Sequence, residues 1–224
     1  MGNGPSLNKM DLSLLSDEIT IGLNGIYKRY LDWGWHNDFI MFEDIEQTEL
    51  RGPDVHKIDG PLKMASLYNA YAFKADNHTL FFNSRLASAR YWCDEFPMFS
   101  VDFPRVVYLG STVTYIALQW AYYLGCNPIY LIGVDHNYGK LTSLFPPGKI
   151  EITKENIDMV RECHFDPNYY KIGDVIGVPH VQLQENAYTY ADQIFRANGK
   201  IVYNAGVDSK LDVFERCVYE EIFK

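Results

Sequence analysis

The sequence has no run of lysine and arginine. Its 20 basic residues are outnumbered by 29 acidic ones, a net charge of −9, and nothing offsets the repulsion of a phosphate backbone, which disfavours nucleic acid as a partner. It lacks an apolar run of bilayer-spanning length, and no charged leader precedes a hydrophobic core, so neither a transmembrane segment nor a secretory signal is expected. Cysteine is scarce. Cys93, Cys126, Cys163 and Cys217 stand far apart with no CxxC pair, which fits free thiols in a reducing cytoplasm better than disulfides or a zinc site. The 6 histidines contain no HxxxH spacing, so no metal cage is expected. What is present is 224 residues with 47% hydrophobic content, enough for one domain. Its 17 Tyr and 13 Phe could form a stacking surface for sugars or bases, although aromatics more commonly fill cores.

The organising stretch is STVTYIALQWAYYLGCNPIYLIGVDH, residues 111–136. Ser111 and Thr112 can cap a helix whose buried face is Ile116, Ala117, Trp120, Ala121 and Leu124, and Gly125 closes it. PIYLIGV then reads as a strand buried on both faces of a parallel sheet. Its carboxyl end carries Asp135 and His136, where open α/β sheets place their ligands.

Other strand ends repeat this placement. The glycine-rich start, Gly2-Asn3-Gly4-Pro5-Ser6, could cradle a phosphate. Such a loop normally follows a strand, so a first strand is expected upstream of residue 1. The strand Ile19–Leu23 ends in Asn24 and Gly25, and DFIMFED ends in Glu43 and Asp44. LKMASLYNAYAF is expected to be helical and HTLFFNS a strand. Residues 137–180, rich in proline and glycine, are expected to form an irregular lid carrying His164 and His180. ENAYTYADQIFRANG reads as a helix, KIVYNA as a strand, and SKLDVFERCVYEEIF as a last helix. This alternation implies an α/β fold: a Rossmann-like three-layer sandwich with a mostly parallel sheet and a lid segment, one domain over residues 1–224.

GNGPSL at Gly2–Leu7, GLN at Gly22–Asn24, the helix leading into IYLIGVDHNY, and CHFDPNYY together resemble the MptE-like 6-hydroxymethylpterin pyrophosphokinase domain family. The loop and the helix–strand–Asp unit are also similar to bacterial CMP-sialic acid-dependent sialyltransferases. The likeness spans nearly the whole chain, though the Asn-Pro pair that follows the position of Asp44 in the sialyltransferases is absent here.

The sialyltransferase likeness implies a metal-independent glycosyltransferase that uses a CMP-linked sugar donor and a glycan acceptor in cell-surface polysaccharide synthesis, with no cofactor. Gly2, Asn3, Gly4, Pro5 and Ser6 would match the donor loop, Asn24 and Gly25 the tip after the following strand, and Ser111 and Thr112 the helix end facing the donor. A lid histidine would be the general base, His164 ahead of His180, with Asp135 also in the catalytic set. His136, Tyr138, Tyr169 and Tyr170 would face the nucleotide, the tyrosines stabilising the leaving phosphate. The alternative that the MptE-like resemblance implies is pyrophosphoryl transfer from ATP to a pterin, with Mg²⁺ held by Glu43, Asp44 and Asp135. A non-catalytic nucleotide-sugar binding domain is the third reading, and a homo-oligomer is left open.

Overall fold

The computed structural model describes residues 1–74, 76–85 and 96–224, so Cys93 lies outside the described residues. The chain opens with 3-10 turns at Pro5–Lys9 and Leu12–Leu15, the second capped by the Asp11 carboxylate. There follow β1 (Ile21–Leu23), α1 (Tyr30–Trp33), β2 (Phe39–Phe42), α2 (Ile45–Val55), β3 (Leu62–Ser66) and β4 (Thr79–Phe82). These strands form one parallel sheet in the order β1-β2-β3-β4, with Gly22 opposite Ile40, Met41 opposite Met64 and Ala65 opposite Phe81.

The short pair β5 (Ser84–Arg85) and β6 (Val107–Tyr108) is also parallel. Helix α3 (Val113–Tyr123) leads to β7 (Ile129–Leu131), and the segment beyond it holds α4 (Leu141–Leu144), β8 (Gly148–Glu151), α5 (Ile157–Arg161) and β9 (Val175–Val178). Then come α6 (Val181–Ala197), β10 (Val202–Asn204) and β11 (Glu215–Arg216). A second parallel sheet has the order β11-β10-β7. Among the described residues no helix is long and apolar enough to cross a membrane.

Side-chain alternation defines three layers. On β2, Ile40 and Phe42 enter one core with α2 and the 137–180 segment, while Phe39 and Met41 enter another under α3. On β7 and the residue after it, Tyr130 and Ile132 face the first core and Ile129 and Leu131 face α6. Both faces are therefore covered, which is why these strands read as continuous apolar runs. Burial of this kind stabilises by roughly 25 cal/mol per Å² of apolar surface. The expected Rossmann-like α/β sandwich is what forms.

Helix α3 starts as expected, with the Thr112 hydroxyl accepting from the Thr114 N–H at 3.3 Å, and Gly125 follows its end at φ 82°. Its Gln119 is fully buried and fully used. Its Oε1 accepts from the Ser100 and Tyr108 N–H groups at 2.9 and 3.1 Å, and its Nε2 donates to the Tyr108 and Tyr115 carbonyls at 2.8 and 3.2 Å.

Two expected helices are absent. LKMASLYNAYAF forms β3 and a 3-10 turn at Leu67–Ala72, because Met64 and Ala65 are buried on opposite faces of a sheet. SKLDVFERCVYEEIF forms β11 and a 3-10 turn at Tyr219–Glu221. Leu211 and Phe214 enter the α6 core and Tyr219 the core on the other face, so no single helical stripe could serve them. The 137–180 segment is more ordered than expected: β8 and β9 pair antiparallel, and Ile152, Val160, Phe165 and Ile176 sit in the main core.

Gln119→Leu would strand two buried N–H groups and a carbonyl, so it should lower stability by about 3 kcal/mol or more. Urea unfolding followed by far-UV circular dichroism would measure it, and a loss below about 1 kcal/mol would contradict the role given to this amide.

Candidate active site

Four backbone features converge outside the carboxyl ends of β1, β6 and β7. Asn24, Ser111 and His136 take left-handed backbone at φ 47°, 61° and 50°, and Gly133 does so at φ 64°. Non-glycine residues in this region store of order 1 kcal/mol each and concentrate at functional sites. Between them lies a crevice of about 150 Å³, walled by Gly2–Gly4, Asn24, Thr112, Asp135, Tyr138 and His164 among others, with no lysine or arginine lining it among the described residues.

The glycine loop is pressed onto the tip of β7. Gly2 N–H donates to the Ile132 carbonyl and Gly4 N–H to that of Gly133, both at 2.8 Å. A Cβ on Gly2 would stand 2.3 Å from the Gly133 oxygen, and one on Gly4 2.3 Å from Asp135 Cγ. These glycines are thus required by close approach to a neighbouring strand. Asp135 anchors the loop: its carboxylate accepts from Ser6 N–H at 2.8 Å and from the Ser6 hydroxyl. Burial pushes its pKa up and the Ser6 hydrogen bonds oppose that shift. Pro5 starts the 3-10 turn that carries Ser6.

Asn3 joins three parts of the site. Its Nδ2 donates to the Leu23 carbonyl at 2.9 Å and its carbonyl accepts from Phe165 N–H at 2.9 Å. Its Oδ1, like that of Asn24, is buried without a hydrogen-bond partner among the described residues. Buried acceptors in this state are rare and point to a missing donor.

His164 reaches the same crevice from the lid. Its Nδ1 lies 2.9 Å from the Val160 carbonyl, so it carries the proton and Nε2 is left as an acceptor. The ring stacks on Tyr169 at 4.3 Å and meets Tyr170 edge-on at 5.0 Å. Burial lowers its pKa to about 4, with the Val160 bond opposing and Arg51 adding to the shift. Arg51, buried and 4.1 Å from the Tyr169 ring centroid, had no local signal in the sequence. Neither had Gln184, which accepts from the Tyr138 hydroxyl at 3.1 Å and donates to the Ser111 carbonyl at 3.2 Å, nor Glu185, 3.2 Å from His136. Burial raises the Tyr138 pKa.

The remaining expected residues lie away from the crevice wall. His180 caps α6, its Nδ1 accepting from Leu183 N–H at 3.4 Å. The Tyr169 hydroxyl accepts from Gly25 N–H at 3.0 Å, and that of Tyr170 accepts from Gln47, so both phenols are engaged within the core. Asp44 caps α2 through Gln47 N–H at 2.8 Å. Glu43 accepts from the Tyr68 hydroxyl, and burial raises its pKa to about 7. Glu43, Asp44 and Asp135 each serve a protein donor, and among the described residues no group of three or more His, Cys, Asp or Glu converges on one point. Of the three, only Asp135 lines the crevice.

A doubly covered parallel sheet, a glycine loop and a helix N-terminus surround a crevice at the strand ends, the place where open α/β folds bind their ligands. The chain belongs to the MptE-like family: the family described as 6-hydroxymethylpterin diphosphokinase MptE-like matches residues 1–140. No curated protein and no solved structure matches the chain. The family suggests a nucleotide-related transferase of the diphosphokinase type, and the match takes in the loop, β1, α3, β7 and the crevice residues up to Tyr138.

Gly4→Ala should destabilise the protein by about 1–3 kcal/mol, by overpacking against Asp135. A thermal melt would measure the loss, and an unchanged midpoint would mean that the loop does not need this close contact. His164 is neutral in the folded chain and binds its proton near pH 4, against about 6.5 for an ordinary imidazole. The unfolded chain therefore takes up this proton first, so its contribution is complete above pH 6.5 and fades as pH falls toward 4. The loss should total about 2 kcal/mol after discounting for the part of the residue open to the crevice. His164→Asn should remove that slope from urea midpoints measured between pH 7 and 4, and an identical slope in the variant would contradict it.

Proposed function

We propose that this chain is a glycosyltransferase that moves a sugar from a nucleotide-linked donor, CMP-linked, to a hydroxyl of a glycan in cell-surface polysaccharide synthesis. The observation that carries this reading is His164, a neutral imidazole held by Val160 with Nε2 free to accept, placed on the crevice beside the glycine loop. Nε2 takes the proton of the acceptor hydroxyl as its oxygen bonds to the anomeric carbon. The bond from that carbon to the phosphate oxygen breaks, and the nucleotide leaves with the electron pair, so the anomeric centre inverts.

The other crevice groups suit the donor. The unpartnered oxygens of Asn3 and Asn24 are acceptors, complementary to ribose hydroxyls or an exocyclic base amine. Thr112 and the N-terminus of α3 supply positive potential for the departing phosphate. The preference for cytidine rests on the likeness to CMP-sialic acid-dependent sialyltransferases.

The family description favours a second reading, transfer of a diphosphoryl group from ATP to the hydroxymethyl group of a pterin. That chemistry needs a divalent cation on the phosphates, and of the three carboxylates considered for it only Asp135 lines the crevice.

Calorimetry separates the two. CMP should bind saturably with the same affinity in EDTA and in Mg²⁺, whereas ATP binding only with Mg²⁺ would replace this proposal with diphosphoryl transfer. No binding by either would favour a non-catalytic domain. With a CMP-sugar that is turned over, His164→Ala should cut the rate by about 100-fold or more while CMP affinity stays within about 3-fold. Full activity in that variant, together with an inactive His180→Ala, would move the base to His180.

A further inference from the structure

The crevice is lined by a second histidine whose surroundings are the opposite of those of His164. His136 stands beyond the tip of β7 in left-handed backbone, at φ 50°, with its side chain 3% exposed. Its Nε2 lies 3.2 Å from Oε1 of Glu185, on α6. An ionised carboxylate can only accept, so Nε2 carries a hydrogen and Nδ1 is the atom that gains or loses a proton. Among the described residues no protein group bonds Nδ1. Tyr138 and Tyr188 meet the ring edge-on, at 5.9 and 6.2 Å.

Glu185 is part of a row on α6. Gln184, Glu185 and Tyr188 lie within about one turn of each other, and Gln184 ties the Tyr138 hydroxyl to the Ser111 carbonyl at 3.1 and 3.2 Å. The same helix therefore supplies the partner of His136 and holds the tip of β7 against the entry to α3.

The charge balance of the crevice gives this pair a task. A phosphate that leaves a sugar carries away an electron pair, and Asp135 already places a carboxylate in the wall. Among the described residues the lining side chains able to be cations near neutral pH are His136 and His164. His164 is neutral there, because burial lowers its pKa to about 4. Burial raises the pKa of Tyr138, Tyr188 and the Cys163 thiol, so these stay uncharged. An imidazolium as buried as His136 needs a counter-ion, and Glu185 provides one. Two groups of one kind in contrasting surroundings are how a single site obtains both a base and an acid.

We propose that His136, paired with Glu185, binds the phosphate of the nucleotide and is the acid that protonates it as the sugar departs. The proton step rests on the sugar-transfer reading given above, whereas the phosphate contact does not. The acceptor hydroxyl gives its proton to Nε2 of His164. The bond from the anomeric carbon to the phosphate oxygen breaks with its electron pair on that oxygen, and Nδ1 of His136 passes its proton to the phosphate. His136 ends neutral and His164 protonated, and proton exchange with water restores both.

The test is calorimetry of the 224-residue chain and two variants with CMP, cytidine and inorganic phosphate. His136→Asn removes the ring while keeping a residue that tolerates left-handed backbone. Glu185→Gln, at a half-exposed position, keeps an acceptor for Nε2 but removes the counter-charge. At about pH 6 each variant should bind CMP about 10-fold or more weakly than the parent, with cytidine affinity unchanged within about 3-fold. The advantage of the parent over both variants should shrink by about 5-fold or more at about pH 8, where an imidazole is mostly neutral. Equal CMP affinity in all three proteins would overturn the proposal, as would a loss of CMP and cytidine in parallel, which marks a merely structural role. Phosphate bound in a His136-dependent way without any CMP binding would keep the phosphate contact and overturn the cytidine reading. Silence from phosphate, from CMP and from ATP with Mg²⁺ would overturn the proposal.

Discussion

The carboxylate of Asp135 holding Ser6 is the contact on which the rest of the site depends. It clamps the first residues of the chain to the end of β7, more than a hundred residues later in sequence. Gly2 and Gly4 follow because nothing larger fits between the loop and the strand tip. Asn3, held between them, is thereby set against β1 on one side and the lid on the other. A crevice assembled this way inherits its shape from the sheets themselves, with little left to loop flexibility.

Much of this was legible because local chemistry and global placement agree. The cap at Thr112, the stop at Gly125 and the polar residues after β1 and β7 are local signals, and each lies where the sequence reading put it. The fold class followed from apolar runs without alternation. The residues around β3 and β11 misled because helical spacing and two-faced burial give similar patterns over short stretches. Met64 and Ala65, or Phe214 and Tyr219, serve different layers, and only the tertiary arrangement reveals it. Arg51, Gln184 and Glu185 were invisible for a related reason: each lies on a helix where a polar residue is unexceptional, and its role comes from a partner far away in sequence.

The lid gains its order from aromatic packing as much as from backbone pairing. Arg51, Tyr169, Tyr170 and His164 form one contiguous cluster, in which the imidazole stacks on Tyr169 and meets Tyr170 edge-on. The phenols that the sequence offered as phosphate ligands secure Gly25 and Gln47 instead. This keeps the imidazole dry on one side and uncharged near neutral pH, and burial and the neighbouring Arg51 charge both act in that direction.

Asn3 ties the lid to the sheet. Its main-chain oxygen holds the lid at Phe165, its side-chain nitrogen holds β1, and its side-chain oxygen has no partner on the protein. A donor that engages that oxygen acts on the same residue that latches the lid. If the lid opens by releasing Phe165, occupancy of the crevice and the opening equilibrium are linked, and the factor by which one shifts the other is the same in both directions.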